Sequence, residues 1–547
     1  MKAYDIVIVG SGIACSMTLC HLAESLTKRA TRNALLRICV IEKEGESWNG
    51  IAYGRRSTIG ALAFQKLQEF LEEPERSSYI EWLAANAESW LTTLRKRGGP
   101  GADKWISDNQ AYIEQNRWEE LYLPRFAFGL YISDKTARAV QELSIRSIAT
   151  VTVIHGEAIE ASRMPGGLFT IVMERGGGVR SRVHALRVVL AMGSPPQRSI
   201  RNCSDEQSGF AHIDDLYSPS EDANIRRIVR TLSHLQDRNM ANILIVGSNA
   251  SALEALYLIT YRPSIRNLVN SVVVLSRSGK LPYKICEDRV SFELAALQSV
   301  CELPYISAAD VIAAIRSDLR RAEEMELNVA DLRDAVGVAV SRAVAMLDSR
   351  EQEKFVCEYG VHYSRLMRRA GRDTRSAADG LTGVGILTTV KGDLRRLDPL
   401  PSGTGPRVAT YAVGGSQSEI TYPVPFSVTI NCGGFEELDC CSSRLINSVV
   451  ANRLCKVNST RRGFFVNEQL EASEECYVIG PLLAGNFNST CRYWHVESAS
   501  RISGLAKVLA ESLLSSIFPC VDVVSQRLLI SPESQIFPSA NSPSARI

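Results

Sequence analysis

The sequence predicts an α/β fold of two parallel-sheet units joined to a helical region. Three observations predict it. An apolar strand runs into a glycine turn and then a helix within the first thirty residues. The same order recurs from residue 243. A proline-free stretch from about 308 to 369 carries helical spacing instead.

The elements follow in order along the chain. Ile6, Val7, Ile8 and Val9 form an unbroken apolar run, the mark of a strand covered on both faces. It begins at Tyr4 and stops at Gly10, and a helix is expected from about Ala14 to Leu26. Leu35–Glu42 supplies the next strand. The polar stretch Thr27–Asn33 between them reads as a longer helix or a loop. Further strands are expected at Val151–Ile154, Leu168–Val172 and Val188–Ala191, and a helix or linker at Arg227–Asp237. Ile243–Val246 ends in Gly247. A helix over about Ala250–Leu258 and the strand Val272–Leu275 complete a second strand-helix-strand unit. Ala308–Arg369, rich in Ala, Leu, Arg and Glu, reads as a helical subdomain. Strand character returns at Gly385–Thr389, Val408–Ala412 and Val428–Asn431, and a last helix is expected from about Glu497 to Leu514. The Pro-, Ser- and Asn-rich stretch after about Ser531 reads as a disordered tail.

Composition narrows the function classes. The 547 residues allow two to four domains. Hydrophobic residues make up 45% and charged residues 22%, as in a soluble globular protein. The balance of 62 basic against 60 acidic residues gives no footprint for nucleic acid or a membrane surface. Fourteen cysteines contain no Cys-x-x-Cys, which argues against a redox-active disulfide and a cysteine zinc site. No metal site is expected. The run Ile6–Val9 is too short for a signal sequence, and nothing reaches the roughly 20 apolar residues of a membrane span, so a cytoplasmic location is expected.

Gly10-Ser11-Gly12-Ile13-Ala14-Cys15 follows a strand and opens a helix, the context a dinucleotide fingerprint requires. Gly10 permits the tight turn, and Gly12 lets backbone approach a pyrophosphate seated on the helix N-terminus beside Ile13 and Ala14. Cys15 stands where a third glycine is usual, setting helix and strand slightly further apart. Glu42 ends the second strand, where a carboxylate accepts from ribose hydroxyls. In the second unit, Gly247-Ser248-Asn249-Ala250-Ser251 repeats the turn, with Asn249 at the second glycine position because asparagine tolerates left-handed angles. Arg277 follows the next strand. Its charge and fork geometry suit a 2′-phosphate, favouring NADPH over NADH.

With these units the chain resembles the two-dinucleotide-binding flavoproteins, in particular FAD/NAD(P)-binding proteins related to N-hydroxylating and Baeyer–Villiger flavin monooxygenases. Five more segments carry the likeness. Gly50-Ile51-Ala52-Tyr53-Gly54 resembles the family's Gly-rich segment after the ribose strand, and Leu123-Pro124-Arg125 through Tyr131 its Pro-Arg segment. Ala191-Met192-Gly193 resembles an Ala-Thr-Gly turn, and Asn431-Cys432-Gly433-Gly434 a Cys-Thr-Gly turn. Ile479-Gly480-Pro481 through Gly485 resembles the strand-turn beneath the flavin. Met192 and Cys432 depart from the usual Thr.

The resemblance implies a Rossmann-like FAD-binding domain with an inserted Rossmann-like NAD(P)-binding domain and a helical subdomain. The implied division is 1–235 for the first part of the FAD domain, 236–285 for the NAD(P) unit and 286–400 for the helical subdomain. Residues 401–525 return to both nucleotide domains and end in a flavin-contacting helix, with a tail at 526–547. It implies FAD and NADPH as cofactors, contacted through Gly10, Gly12, Ile13, Ala14, Glu42, Tyr53, Arg125, Gly193, Gly247, Ser248, Ser251, Arg277, Gly433, Gly480 and Glu497.

The activity implied is flavin reduction by NADPH followed by O₂ activation on a small molecule. A flavin dehydrogenase or oxidase, and a non-catalytic partner retaining the fold, are the alternatives. His495 is the candidate acid/base or substrate contact, against a capping or packing role. Glu497 reads as a first-turn helix acid. Arg125 reads as a phosphate or substrate contact, or as an ion pair at a domain contact. The basic run Arg365–Arg372 reads as a solvated helix face or the lining of a site for an acidic substrate.

Overall fold

The computed structural model describes residues 3–29, 35–200, 209–286, 290–401 and 405–519. The expected tail, and most of the polar stretch Thr27–Asn33, lie outside the described residues.

The opening strand Tyr4–Val9 sits centrally in an eight-stranded sheet because both its faces are apolar. It pairs in parallel with Leu36–Glu42 on one side (Ile6 opposite Ile38) and with Val179–Leu190 on the other (Ile6 opposite Arg187). Ala149–His155 extends the sheet beyond Leu36–Glu42, and Cys476–Val478 joins it from far along the chain, Tyr477 opposite Val189. Glu157–Arg163 and Phe169–Arg175 continue antiparallel from Val179–Leu190. The first helix, Ile13–Lys28, and the last, Ala499–Ile517, pack together over this sheet.

A second, five-stranded parallel sheet runs in the order Leu387–Lys391, Ser271–Ser276, Asn242–Val246, Val428–Asn431, Ala211–Ile213. Its outer strand Ala211–Ile213 and the helix Glu221–Ser233 precede residue 236, where the sequence places the start of the second unit. They belong with the second sheet because Val428 pairs with both Ala211 and Ile243, a contact across two hundred residues that no local pattern records.

Similarly, Leu387–Lys391 and the helix Arg372–Gly383, packed on Ala250–Tyr261, join this unit rather than the helical subdomain. The helical subdomain proper holds Ala308–Glu324, Arg333–Ala345 and the run from Ser349 to Leu366, around its own core of Val311, Ile315, Val340 and Phe355. A further helical region between 67 and 145 has no counterpart in the sequence reading. It is held by a cluster of aromatic side chains, including Trp90, Trp118, Tyr79 and Phe128.

Candidate functional site

Gly10 adopts φ 96°, a left-handed angle, and a Cβ there would lie 2.5 Å from the Ala191 carbonyl oxygen. Only glycine fits between the two strand ends. Gly12 caps the first helix in an extended conformation. No side chain caps that helix, and its first turn carries no acid, so its leading N–H groups face outward without a protein anion. Across from it, Gly50 (φ 64°) comes so near that a Cβ would stand 3.1 Å from the Gly12 Cα. Trp48 N–H donates to Ser11 O at 2.8 Å, and the Ser16 hydroxyl donates to Trp48 O at 2.7 Å, pinning the 48–50 segment over the turn.

Glu42 is 8% exposed. Its Oε2 accepts from Ser11 N–H at 3.1 Å and from the Ser11 hydroxyl, while its Oε1 accepts from Glu44 N–H at 2.6 Å. The carboxylate is fixed beside the glycine turn and keeps lone pairs for further donors. Cys15 is fully buried in the adjoining core. Tyr53 turns its ring onto Phe70 and Phe128, and burial pushes its hydroxyl up to about 12. Its backbone carbonyl lies where a Cβ on Gly129 would fall. It is a packing residue of the Gly50–Tyr53 turn.

The second turn repeats the first. Gly247 has φ 105°, and a Cβ there would meet the Cys432 carbonyl oxygen at 2.1 Å. Ser248 is buried and Ser251 half-buried in the turn and first helical residues. Asn249 caps Ala250–Tyr261 at φ −91°, ψ −163°. This extended conformation corrects the left-handed role expected of it; its Oδ1 is buried without a partner. Gly433 donates its N–H to Asn431 Oδ1 at 3.0 Å, closing the neighbouring loop. Arg277 follows Ser271–Ser276, exposed, with Asp393 3.8 Å away.

Arg125 is withdrawn from either turn. Its guanidinium bonds the Glu254 carboxylate and, at 3.0 Å, the Ser57 hydroxyl. The Tyr217 hydroxyl donates to the other Glu254 oxygen at 2.6 Å, and Thr58 N–H donates to Glu221 at 2.5 Å. Burial opposes the charge of Arg125, but Glu254, Tyr217 and Glu221 outweigh it and hold the group protonated. Burial, then the charge of Glu254, pushes Glu221 well above the usual carboxylate range. Of its two expected roles, Arg125 takes the domain ion pair, because Glu254 projects from an otherwise apolar helix and must be neutralised.

The C-terminal segment closes the site. Gly480 (φ 86°) sits against the first helix, a Cβ there falling 3.6 Å from Ala14 Cβ. Gly193, also left-handed at φ 78°, has open space beside it. The last helix begins at Ala499, not Glu497, because the Ser498 hydroxyl accepts from Arg501 N–H and forms the cap. Glu497 therefore precedes the first turn. It is open to solvent yet closely surrounded by protein, a cleft position in which burial raises its carboxyl.

His495 is ringed by Arg501, Arg462 and Arg368. Burial first, then those charges, depress its imidazole to about 3. Arg462 donates to Trp494 O at 2.8 Å and Arg501 to His495 O at 3.0 Å. Sequence reading missed Arg462, Arg501 and the Glu221–Glu254 pair. Glu254 had a signal, a single acid in an apolar helix; Arg462 had none, since it meets His495 only in the fold, while Arg501 stands in the first turn of the adjoining helix.

Among the described residues, no helix is long and apolar enough to cross a membrane. Residues 7–195 match a family described as FAD-NAD(P)-binding. Uncharacterized proteins of Mycobacterium tuberculosis and Mycobacterium bovis are 43% identical over 94% of this chain and 96% of their own. The fold is that of a reduced ornithine hydroxylase from Pseudomonas aeruginosa (TM-score 0.54, 13% identity, 94% of this chain and 100% of that one). It is also that of a desferrioxamine-pathway cadaverine monooxygenase from Erwinia amylovora bound to FAD (0.53, 12%, 99% and 100%). A third is an ornithine N-hydroxylase from Kutzneria sp. 744 with reduced FAD, NADP+ and L-ornithine (0.52, 15%, 94% and 99%). With two glycine turns on parallel sheets, an FAD-NAD(P)-binding match over residues 7–195 and the two-dinucleotide flavoprotein fold, the chain belongs to the family of these mycobacterial proteins.

Proposed function

We propose that the protein is an FAD-dependent, NADPH-using oxidoreductase, a monooxygenase acting on a small molecule. The observation that carries this reading is the pair of matching turns with opposite charge at their sugar ends: Glu42 beside Gly10, and Arg277 after the strand beside Gly247. A carboxylate accepts from ribose hydroxyls and repels a 2′-phosphate, whereas a guanidinium binds one.

The residues fit the cofactors they imply. The first helix has neither a side-chain cap nor a first-turn acid, and Gly12 and Gly50 leave a backbone cradle that side chains would fill. Gly12, Ile13 and Ala14 would hold the FAD pyrophosphate and Glu42 its ribose, with Gly193 and Gly480 bordering the same end of the sheet. Ser248, Ser251 and Arg277 would hold NADPH, with Gly433 in the adjoining loop. Held by these residues, flavin would supply the redox chemistry, hydride acceptance from nicotinamide and reactivity with oxygen.

The chain's own part is to bind, orient and exclude water. The positive end of the last helix, with Arg501 in its first turn, favours negative charge nearby. His495, held neutral by burial and then by its arginine neighbours, offers an imidazole as hydrogen-bond partner or proton acceptor rather than as an acid. The solved hydroxylases and the cadaverine monooxygenase named above support this class of chemistry by their fold.

Asn249, with its unpartnered Oδ1 at the second turn, favours a second reading, a flavin dehydrogenase or oxidase that makes little use of NADPH. Cofactor extraction and anaerobic titration separate the two. Bound FAD bleached by NADPH, then reoxidised by O₂ with transfer of oxygen to a substrate, is the expected result. A colourless protein that takes up no flavin refutes both.

A further inference from the structure

The arginines around His495 are more numerous than the described carboxylates can balance. Arg368 stands near Arg365 and Arg277. Burial, then these like charges, bring it down to about 10, and Glu497 is the carboxylate that opposes them. Burial weakens Glu497 as a counter-ion by raising its carboxyl. Among the described residues, no carboxylate lies within 4.0 Å of Arg365, Arg368, Arg462 or Arg501. Their neighbours Arg333 and Arg369 share one acid, Glu69.

The fold enforces this crowding. The helix Gly360–Leu366 is seated on the C-terminal segment at Gly360, where a Cβ would lie 2.6 Å from Trp494 Cβ. Tyr363 packs edge-on against Trp494 with ring centres 5.8 Å apart. Cys357 bonds Gly485 O at 3.5 Å. That contact carries Arg365 and Arg368 to the His495 side. From below, Arg462 and Arg501 each spend one N–H on a carbonyl of residues 494 and 495, and Arg501 stacks 5.1 Å over Tyr493. Each fork keeps further donors for a ligand.

Like charges so placed repel one another, and the arrangement is favourable only when an anion completes it. We propose that the small-molecule substrate bears oxyanion groups, carboxylate or phosphate, bound by Arg368, Arg462 and Arg501 around His495, with Arg277 and Arg365 left for the dinucleotide. This deepens the flavoenzyme reading and rests on it for the word substrate. It also departs from the cadaverine that names one structural neighbour: a diamine with no oxyanion would be repelled here.

Calorimetric titration of the purified full-length protein tests the site, with citrate and glycerol 3-phosphate as oxyanions and cadaverine as the cationic probe. At least one oxyanion is expected to bind, and the diamine is not. Citrate alone marks a carboxylate site, glycerol 3-phosphate alone a phosphate site. Arg368→Gln and Arg462→Gln are each expected to weaken binding about tenfold, while the outer-surface Arg117→Gln leaves it unchanged. The two test variants lie on separate segments, so either carries the result if the other fails to fold. Binding of cadaverine in place of oxyanions overturns the proposal. So does silence from both oxyanions at millimolar concentration, or an Arg368→Gln effect confined to the KM for NADPH. A colourless protein that still titrates oxyanions removes the flavin reading and leaves the anion site standing. A yellow protein that binds neither oxyanion removes the site alone.

Discussion

Arg125 and Glu254 form a buried ion pair joining the helix that begins after Pro124 to the helix that follows the second glycine turn. Glu221 and Tyr217 complete the group, so one guanidinium serves two acids at the contact between the two sheet units.

Removing the cation leaves both acids in a dry contact. Arg125→Met is expected to cost about 3–5 kcal/mol in denaturant unfolding. Glu221→Gln is expected to cost little at low pH and to gain stability at neutral pH. The sign follows from its raised carboxyl: the folded chain holds a proton that the unfolded chain releases above the ordinary carboxylate range. Stability from this group is therefore full below that range and lost as pH rises. The Gln variant should flatten that slope in melting curves taken across pH; an unchanged slope removes Glu221 from the account.

Glu42→Gln keeps the shape and removes the charge beside the first turn. Flavin affinity is expected to fall about tenfold or more, read by fluorescence titration. Gly10→Ala is expected to be worse, since its methyl group would press on the Ala191 carbonyl and its backbone angle disfavours a side chain. Equal flavin affinity in both variants and the parent would place the cofactor elsewhere.

Arg277→Gln is expected to raise the KM for NADPH about tenfold and to leave that for NADH nearly unchanged. Parallel loss with both donors would point to a structural role through Asp393 instead.

His495 takes its proton at about pH 3 in the folded protein against 6.5 ordinarily. The unfolded chain therefore binds a proton that the folded one refuses as pH falls below 6.5, and stability declines on acidification across that window. His495→Gln should remove this decline. In activity profiles the parent should show no histidine limb near pH 6, whereas Arg462→Gln, by taking away one neighbouring charge, should move the imidazole upward. Burial remains its main depressant, so the shift should be partial.

The first unit was legible because its signals are local. Tyr4–Val9, Gly10, Gly12 and Glu42 lie in one continuous stretch, and the structure brings Glu42 to the turn through Ser11. Arg277 was legible as the residue after a strand. The cleft was not. Arg462 and Arg368 come to His495 from distant segments, Arg462 through its bond to the Trp494 carbonyl and Arg368 through the seating of Gly360 on Trp494, contacts with no periodic trace. The helices between 67 and 145 escaped for a different reason. Their packing rests on scattered large aromatics such as Trp90 and Trp118, which interrupt an amphipathic pattern rather than mark one.

Gly10 and Gly247 each lie under a carbonyl oxygen from the adjacent strand end, Ala191 in one sheet and Cys432 in the other. The same steric lock at both seats makes the backbone indifferent to which dinucleotide arrives. On the proposed reading, sorting between the two dinucleotides falls to what surrounds that lock: Glu42 at the far edge of the first seat, Asn249 and Arg277 at the second.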